Sequence, residues 1–255
     1  MSQTSIGLKV YADKLEPFIH WDVDYFEIYI RHIDHLGKPT TLEAQLELLA
    51  PIADKVFGIH GGILHQGVNF FDVSAKLDNQ KAIDIVNMAL PTFPNCKYVV
   101  FHPGCFVNHQ TCSFETLYSW IDTLKDDRFM IENEAFLCYK ERFVFPIWRP
   151  EDFLAFKKKT NKEILVDTGH ALILARIMKL DPVAYISELI DVLNPSVIHL
   201  ATNDSRGDGY EDSHLPLAQG ALNFKALAPK LKDRLLTIEV GDLSLSDLDL
   251  VKSIV

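Results

Sequence analysis

Four cysteines are all this chain carries in 255 residues, and no two are spaced as CxxC. Cys96, Cys105, Cys112 and Cys138 therefore exclude a thiolate zinc ribbon and read as buried thiols of an intracellular protein. Long apolar runs are missing too. Nothing approaches the ~18 consecutive apolar residues of a membrane-spanning helix. The opening residues, MSQTSIGLKVYADK, lack a basic leader followed by an apolar run, so the expectation is a cytoplasmic protein with no membrane partner. Basic residues are in deficit, 25 Lys and Arg against 35 Asp and Glu, and the net charge of −10 excludes a wholesale cationic face for nucleic acid. A local basic rim stays compatible, because bound divalent cations would bring positive charge into an acidic pocket. There is no G-x-S-x-G and no Walker-type loop, and the pair Gly61-Gly62 is too short to cradle a phosphate alone. Low-complexity tracts are absent, and the twelve Gly and twelve Pro are scattered rather than gathered into a linker. Residues 1–255 are expected to form a single domain.

What is present is a regular alternation. Eight short runs rich in Val, Ile, Phe or Tyr lie at 6–11, 25–30, 56–60, 98–102, 129–132, 164–167, 197–200 and 235–240. Between them helical periodicity runs over 42–54, 74–90, 113–124, 150–158, 182–193, 223–232 and 244–254, with a weaker helical segment at 13–21. Near-continuous apolar strands alternating with helices imply a parallel sheet covered by helices, and eight such units imply a closed (β/α)8 TIM barrel. In such barrels chemistry gathers where strands end. Here the third to eighth strands end in or beside His60, His102, Glu132, Asp167, His199 and Glu239. Burying so much unpaired polarity around one axis would be costly without compensation, and bound metal is the expected compensation. His170, three residues after Asp167, and Asp212 and His214, in the loop after the seventh strand, extend the set. Five imidazoles and four carboxylates exceed what one four-coordinate zinc can use, so two or three metals are expected.

These motifs resemble the xylose isomerase-like barrel superfamily, and within it endonuclease IV, the AP endonuclease family 2. The resemblance is carried by FHPG at 101–104, IENEA at 131–135, DTGH at 167–170, the His199…NDS…DSH run and TIE at 237–239. It implies a trinuclear site for up to three zinc ions, with manganese as the alternative. His60 and His102 would hold the first, Glu132 would bridge to the second, Asp167, His199 and Glu239 would complete the second, and His170, Asp212 and His214 would hold the third. Such a site suits phosphodiester hydrolysis, since cations lower the pKa of water and neutralise charge on phosphoryl oxygens.

The substrate is less defined, either a small phosphodiester or sugar phosphate, or abasic DNA. The loops after the second strand and after His60 read RHIDHLGKP and GGILHQG, without the Arg- and Tyr-bearing probes of endonuclease IV. Arg31, Lys38 and Arg206 are the basic candidates at the mouth. Residues 135–153 interleave Phe136, Tyr139, Phe143, Phe145 and Trp148 with Lys140, Arg142 and Arg149, which fits either a lid stacking on a flat ligand or a packed rim or interface. Arg31, Tyr139, Arg142, Trp148 and Arg206 are therefore the candidate substrate contacts. A second activity fits the same fold: a sugar or sugar-phosphate isomerase or epimerase, with Glu132 and Glu239 exchanging protons around one metal.

Overall fold

The computed structural model describes residues 4–31, 38–135, 137–138, 143–204 and 212–255. Eight parallel strands close into a barrel: β1 (Ser5–Tyr11), β2 (Tyr25–Tyr29), β3 (Val56–His60), β4 (Tyr98–Phe101), β5 (Phe129–Glu132), β8 (Glu163–Asp167), β9 (Val197–Leu200) and β10 (Leu235–Ile238). Closure is made by β1, which pairs with both β2 and β10. The two remaining strands, β6 (Leu137–Cys138) and β7 (Phe143–Val144), form a separate antiparallel pair beyond β5. The barrel expected from the sequence is therefore the barrel found. His102 and Glu239 differ only in lying one residue past their strands, at the start of the loops.

The helices are α1 (Leu42–Leu49), α2 (Lys76–Ala89), α3 (Phe114–Ile121), α4 (Pro150–Thr160), α5 (Thr168–Ile177), α6 (Pro182–Leu193), α7 (Phe224–Leu231) and α8 (Leu245–Ile254). Thr41, Ser113, Asp181 and Asn223 cap α1, α3, α6 and α7 by accepting a first-turn amide. Two expectations need correction. The segment 42–54 is not one helix: α1 stops at Leu49 and 3-10 turns follow, because Pro51 can neither donate nor clear the preceding turn. The segment 13–21 forms two short 3-10 turns, the second with Pro17 in its first turn. One helix had no counterpart in the periodicity. In α5, residues Thr168 to Ala175 are all buried, so there is no polar face and no contrast to read.

The barrel has two apolar compartments. A large cluster lies between strands and helices, and a small one fills the interior with Tyr25, Tyr98, Val100, Met130, Leu165 and Val197. Two glycines make room for the interior tyrosines. A Cβ on Gly7 would stand 2.3 Å from the Tyr25 ring, and one on Gly58 2.3 Å from the Tyr98 ring. Since strand side chains alternate, the inward positions two residues further along β2, β5, β8 and β9 are Glu27, Glu132, Asp167 and His199. All four are at most 1% exposed. A charged layer thus sits directly on an apolar one. No described helix is long and apolar enough to cross a membrane.

Candidate metal centre

All nine expected ligands converge, in three groups whose donor atoms lie within 4.8 Å of one another. The first is His60, His102 and Glu132; the second is Glu132, Asp167, His199 and Glu239; the third is His170, Asp212 and His214. Glu132 is common to the first two. Its Oε2 lies 3.3 Å from His60 Nε2 and 3.0 Å from His102 Nε2, while Oε1 lies 3.4 Å from His199 Nδ1 and 3.5 Å from His170 Nδ1.

The fit to a metal can be judged from atoms that nothing else satisfies. Ten buried side-chain nitrogens and oxygens lack a hydrogen-bond partner among the described residues, and seven are candidate ligand atoms: His60 Nε2, His102 Nε2, both Glu132 oxygens, Asp167 Oδ2, His199 Nδ1 and Glu239 Oε2. Each such orphan would ordinarily cost about 1–3 kcal/mol, so this concentration calls for a shared partner. The spacings suit one. Donors about 2.0–2.1 Å from a tetrahedral zinc stand roughly 3.3 Å from each other, close to the separations around Glu132. In the third group Asp212 Oδ2 lies 3.2 Å from His170 Nε2 and 2.9 Å from His214 Nε2, so a cation there would replace the protons of those contacts.

Every candidate imidazole has its other nitrogen held by the protein. His60 Nδ1 is 3.0 Å from Gly61 O, His102 Nδ1 2.8 Å from Glu134 Oε1, His170 Nδ1 2.7 Å from Asn133 O, His199 Nε2 2.7 Å from Glu27 Oε2 and His214 Nδ1 3.3 Å from Glu239 O. Such contacts fix ring orientation and tautomer, and they recur beside metal-bound histidine. Local folding delivers the rest. Asp167 ends β8 and also caps α5, its Oδ1 accepting the His170 amide at 2.7 Å, so the strand runs into the helix with no loop between. Asn203 Oδ1 accepts from the Ser213 and His214 amides at 2.6 and 3.2 Å, holding His214 in a left-handed conformation at φ 44°. Non-glycine residues at such angles carry strain that surrounding contacts must support.

Charge in the cluster is tightly balanced. Burial alone would depress His102, but Glu134 and Glu132 more than offset it and lift the imidazole to about 10. His214 rises to about 9 against burial through Asp212 and Glu239, and His170 and His199 are raised in the same way by facing carboxylates. Burial, with Asp167 also facing Glu132 and Glu239, lifts the Asp167 carboxyl to about 6. His60 alone is pushed down, by burial and by Lys9. Metal ligation requires neutral imidazoles and ionised carboxylates. The facing carboxylates favour the protonated form of His102, His170, His199 and His214 in metal-free protein, so metal uptake should release protons. The apparent affinity should fall as pH drops, because protons compete below each raised pKa. Calorimetric titration in two buffers of different ionisation heat checks this. Identical heats in both would contradict it.

Four residues at the site had not been singled out in the sequence: Lys9, Glu27, Asn133 and Glu134. Lys9 Nζ donates to Glu239 Oε1 at 2.5 Å, and Tyr98 Oη donates to Glu27 Oε2 at 2.7 Å. Glu27 had a legible sign, being the one carboxylate among the aromatic and aliphatic residues of a strand buried throughout. Of the candidate substrate contacts, the Arg31 guanidinium lies 4.4 Å from the Tyr11 ring centroid and 5.4 Å from that of Tyr29, whose ring meets His60 edge-on at 5.0 Å. Trp148 is half-buried against the main core, with Arg149 5.6 Å from its ring, and Phe145 is fully buried there. Tyr139, Arg142 and Arg206 lie outside the described residues.

No protein-family model matches the chain, and no curated protein sequence does. Solved structures do. AsfvAP:AG shares 99% of both chains at TM-score 0.63 and 12% identity. A candidate xylose isomerase from Rhodospirillum rubrum matches over 98% of this chain and 97% of its own, with TM-score 0.65 and 15% identity. The IolI protein with a bound zinc atom matches over 98% and 96%, with TM-score 0.62 and 15% identity. At these identities the likeness is one of fold.

Proposed function

We propose that this barrel, which has the xylose isomerase-like fold, is a divalent-metal-dependent phosphodiester hydrolase. One observation carries the reading: Glu132 Oε2 faces His60 and His102 of the first group, while Oε1 faces His199 of the second. That is the arrangement of a carboxylate shared between two cations, and a one-metal isomerase has no use for it. His60, His102 and Glu132 would hold the first cation, Glu132, Asp167, His199 and Glu239 the second, and His170, Asp212 and His214 the third. Zinc suits the mixed nitrogen and oxygen donors, with manganese the alternative. Bound there, such ions supply Lewis acidity, making water acidic enough to ionise near neutral pH and offsetting phosphoryl charge.

The chain's own residues supply position. Hydrolysis forms a bond from a water oxygen to phosphorus and breaks the ester bond, with a proton ending on the departing oxygen. Cys96, Cys105 and Cys112 are buried, and we assign the attack to water. We assign Arg31, whose guanidinium lies 5.4 Å from the Tyr29 ring centroid, to a phosphate oxygen, and Tyr139, Arg142, Trp148 and Arg206 to further substrate contacts. A chain of net charge −10 favours a small phosphodiester over extended duplex DNA. Three buried thiols outside any disulfide suit the cytoplasm. The second reading, a sugar-phosphate isomerase or epimerase, keeps one observation in its favour: the second group alone is a complete four-donor site that contains both Glu132 and Glu239.

Metal analysis after purification without added metal, with His170→Ala alongside, tests the choice. Three equivalents falling to two, with cleavage of an aryl phosphodiester, is the expected result. One equivalent unchanged in the variant, with sugar-phosphate epimerisation and no diester cleavage, would replace the hydrolase by the isomerase. A duplex with one abasic site separates DNA from smaller diesters.

A further inference from the structure

Strands β1 and β2 end in no candidate ligand, yet each sends a buried charge into the second group. Lys9, on β1, has a side chain 10% exposed, and its ammonium donates to Glu239 Oε1 at 2.5 Å. Glu27, on β2, is fully buried, and its Oε2 accepts from His199 Nε2 at 2.7 Å and from Tyr98 Oη at 2.7 Å. Tyr98 is supported in turn: Tyr98 Oη lies 2.9 Å from Thr237 Oγ1, which lies 2.9 Å from Tyr25 Oη. A single direction of donation satisfies this chain, from Tyr25 to Thr237 to Tyr98 to Glu27.

The consequence lies in what these partners leave over. His199 has two ring nitrogens able to bind a cation, and Glu27 occupies one. Glu239 has two oxygens, and Lys9 occupies one. The remaining His199 Nδ1 and Glu239 Oε2 are buried, make no hydrogen bond of good geometry among the described residues, and face each other as a 2.7 Å ion pair whose proton a cation would replace. With Asp167 Oδ2 and Glu132 Oε1, which also lack such a bond, they make one donor atom from each of four residues. Asp167 is restricted in the same sense, since its Oδ1 is committed to the His170 amide.

We infer that Lys9 and Glu27 are positioning residues that hold the second group to four single-atom donors, and so select a tetrahedral ion such as zinc over a six-coordinate ion such as manganese. Zinc accepts four donors, whereas manganese takes oxygen-rich octahedral sites. If Lys9 is removed, Glu239 can offer both oxygens, and coordination expands. If Glu27 is removed, His199 loses the contact that fixes its ring. The inference rests on the proposed cation at the second group and not on the reaction catalysed.

Cobalt(II) reports the difference directly, because its visible absorption is strong in four-coordinate tetrahedral fields and weak in six-coordinate ones. Metal-free wild-type protein, Lys9→Met and Glu27→Leu are titrated with cobalt, and folding is read by circular dichroism. Lys9→Met is expected to keep its cobalt equivalents, lose part of the tetrahedral absorption and shift zinc–manganese competition towards manganese. Glu27→Leu is expected to weaken one equivalent roughly 10–100-fold, the usual effect of losing a partner that orients a ligand, with the others unchanged. Glu134→Gln, whose ion pair among the described residues is with His102 of the first group, should leave that equivalent as it was. Folded variants with wild-type equivalents, band intensity and metal preference would overturn the inference. Should an apolar variant fail to fold, Tyr98→Phe, which removes one hydroxyl, is read at the same equivalent, and a wild-type spectrum without tetrahedral bands overturns the inference by itself. Spectra that behave as expected in a protein that cleaves no diester would count against the hydrolase and leave this inference standing.

Discussion

Glu132→Gln should cost more than any other single change at the barrel mouth. The amide keeps the size and shape of the carboxylate, so no cavity opens and the effect reads as chemistry. What disappears is the negative charge shared by the first two groups, with Oε2 facing His60 and His102 and Oε1 facing His199 and His170. An amide nitrogen in either position presents hydrogens to a cation. The expected result is loss of metal from both groups, with the His170, Asp212 and His214 group retaining its own. Phosphodiester cleavage should fall by at least about 1000-fold in kcat/KM, roughly 4 kcal/mol of transition-state stabilisation. Metal analysis and steady-state kinetics on one preparation check both. A variant that keeps all its metal and most of its rate would show that Glu132 bridges nothing.

Gly58→Ala should have the largest effect on stability, although it adds only one methyl. Its Cβ would stand 2.3 Å from Tyr98 Cζ and 2.5 Å from Tyr98 Oη, separations that van der Waals radii do not allow. Tyr98 cannot swing aside freely, because it is fully buried in the barrel interior and its hydroxyl is held by Glu27 and Thr237. Overpacking of a rigid core costs about 1–3 kcal/mol, and this site belongs at the upper end. For a chain of this size a loss of about 3 kcal/mol lowers Tm by roughly 6–12 °C. A thermal melt reads the loss, and a double-mutant cycle with Tyr98→Leu identifies its source. If the clash with the ring is the cause, the double variant should recover at least about 1 kcal/mol beyond additivity. Additive losses would place the cause elsewhere. Any displacement of Tyr98 also reaches the site, since its hydroxyl braces Glu27 behind His199.

The architecture and the cluster of candidate ligands were legible for the same reason. A strand buried on both faces admits few polar residues, so His60, Glu132, Asp167 and His199 at the ends of apolar runs stand out in one dimension as they do in three. Helix α5 was not legible, because a helix with nearly every residue buried shows no periodicity. Nor was the break after α1, where Pro51 outweighed a helical pattern that continues past it.

From sequence alone came eight alternating units, a closed barrel and a rim of five histidines and four carboxylates, all set by short-range patterning and the cost of burying polar groups. The tertiary structure alone decided which donor atoms of the first two groups are left without a hydrogen bond among the described residues. That choice depends on contacts between residues far apart in the chain: Lys9 with Glu239, Glu27 with His199, and Tyr98 with Thr237. Such contacts leave no local signature, because barrel closure, which sets β1 beside β10, is what brings these partners within hydrogen-bonding distance.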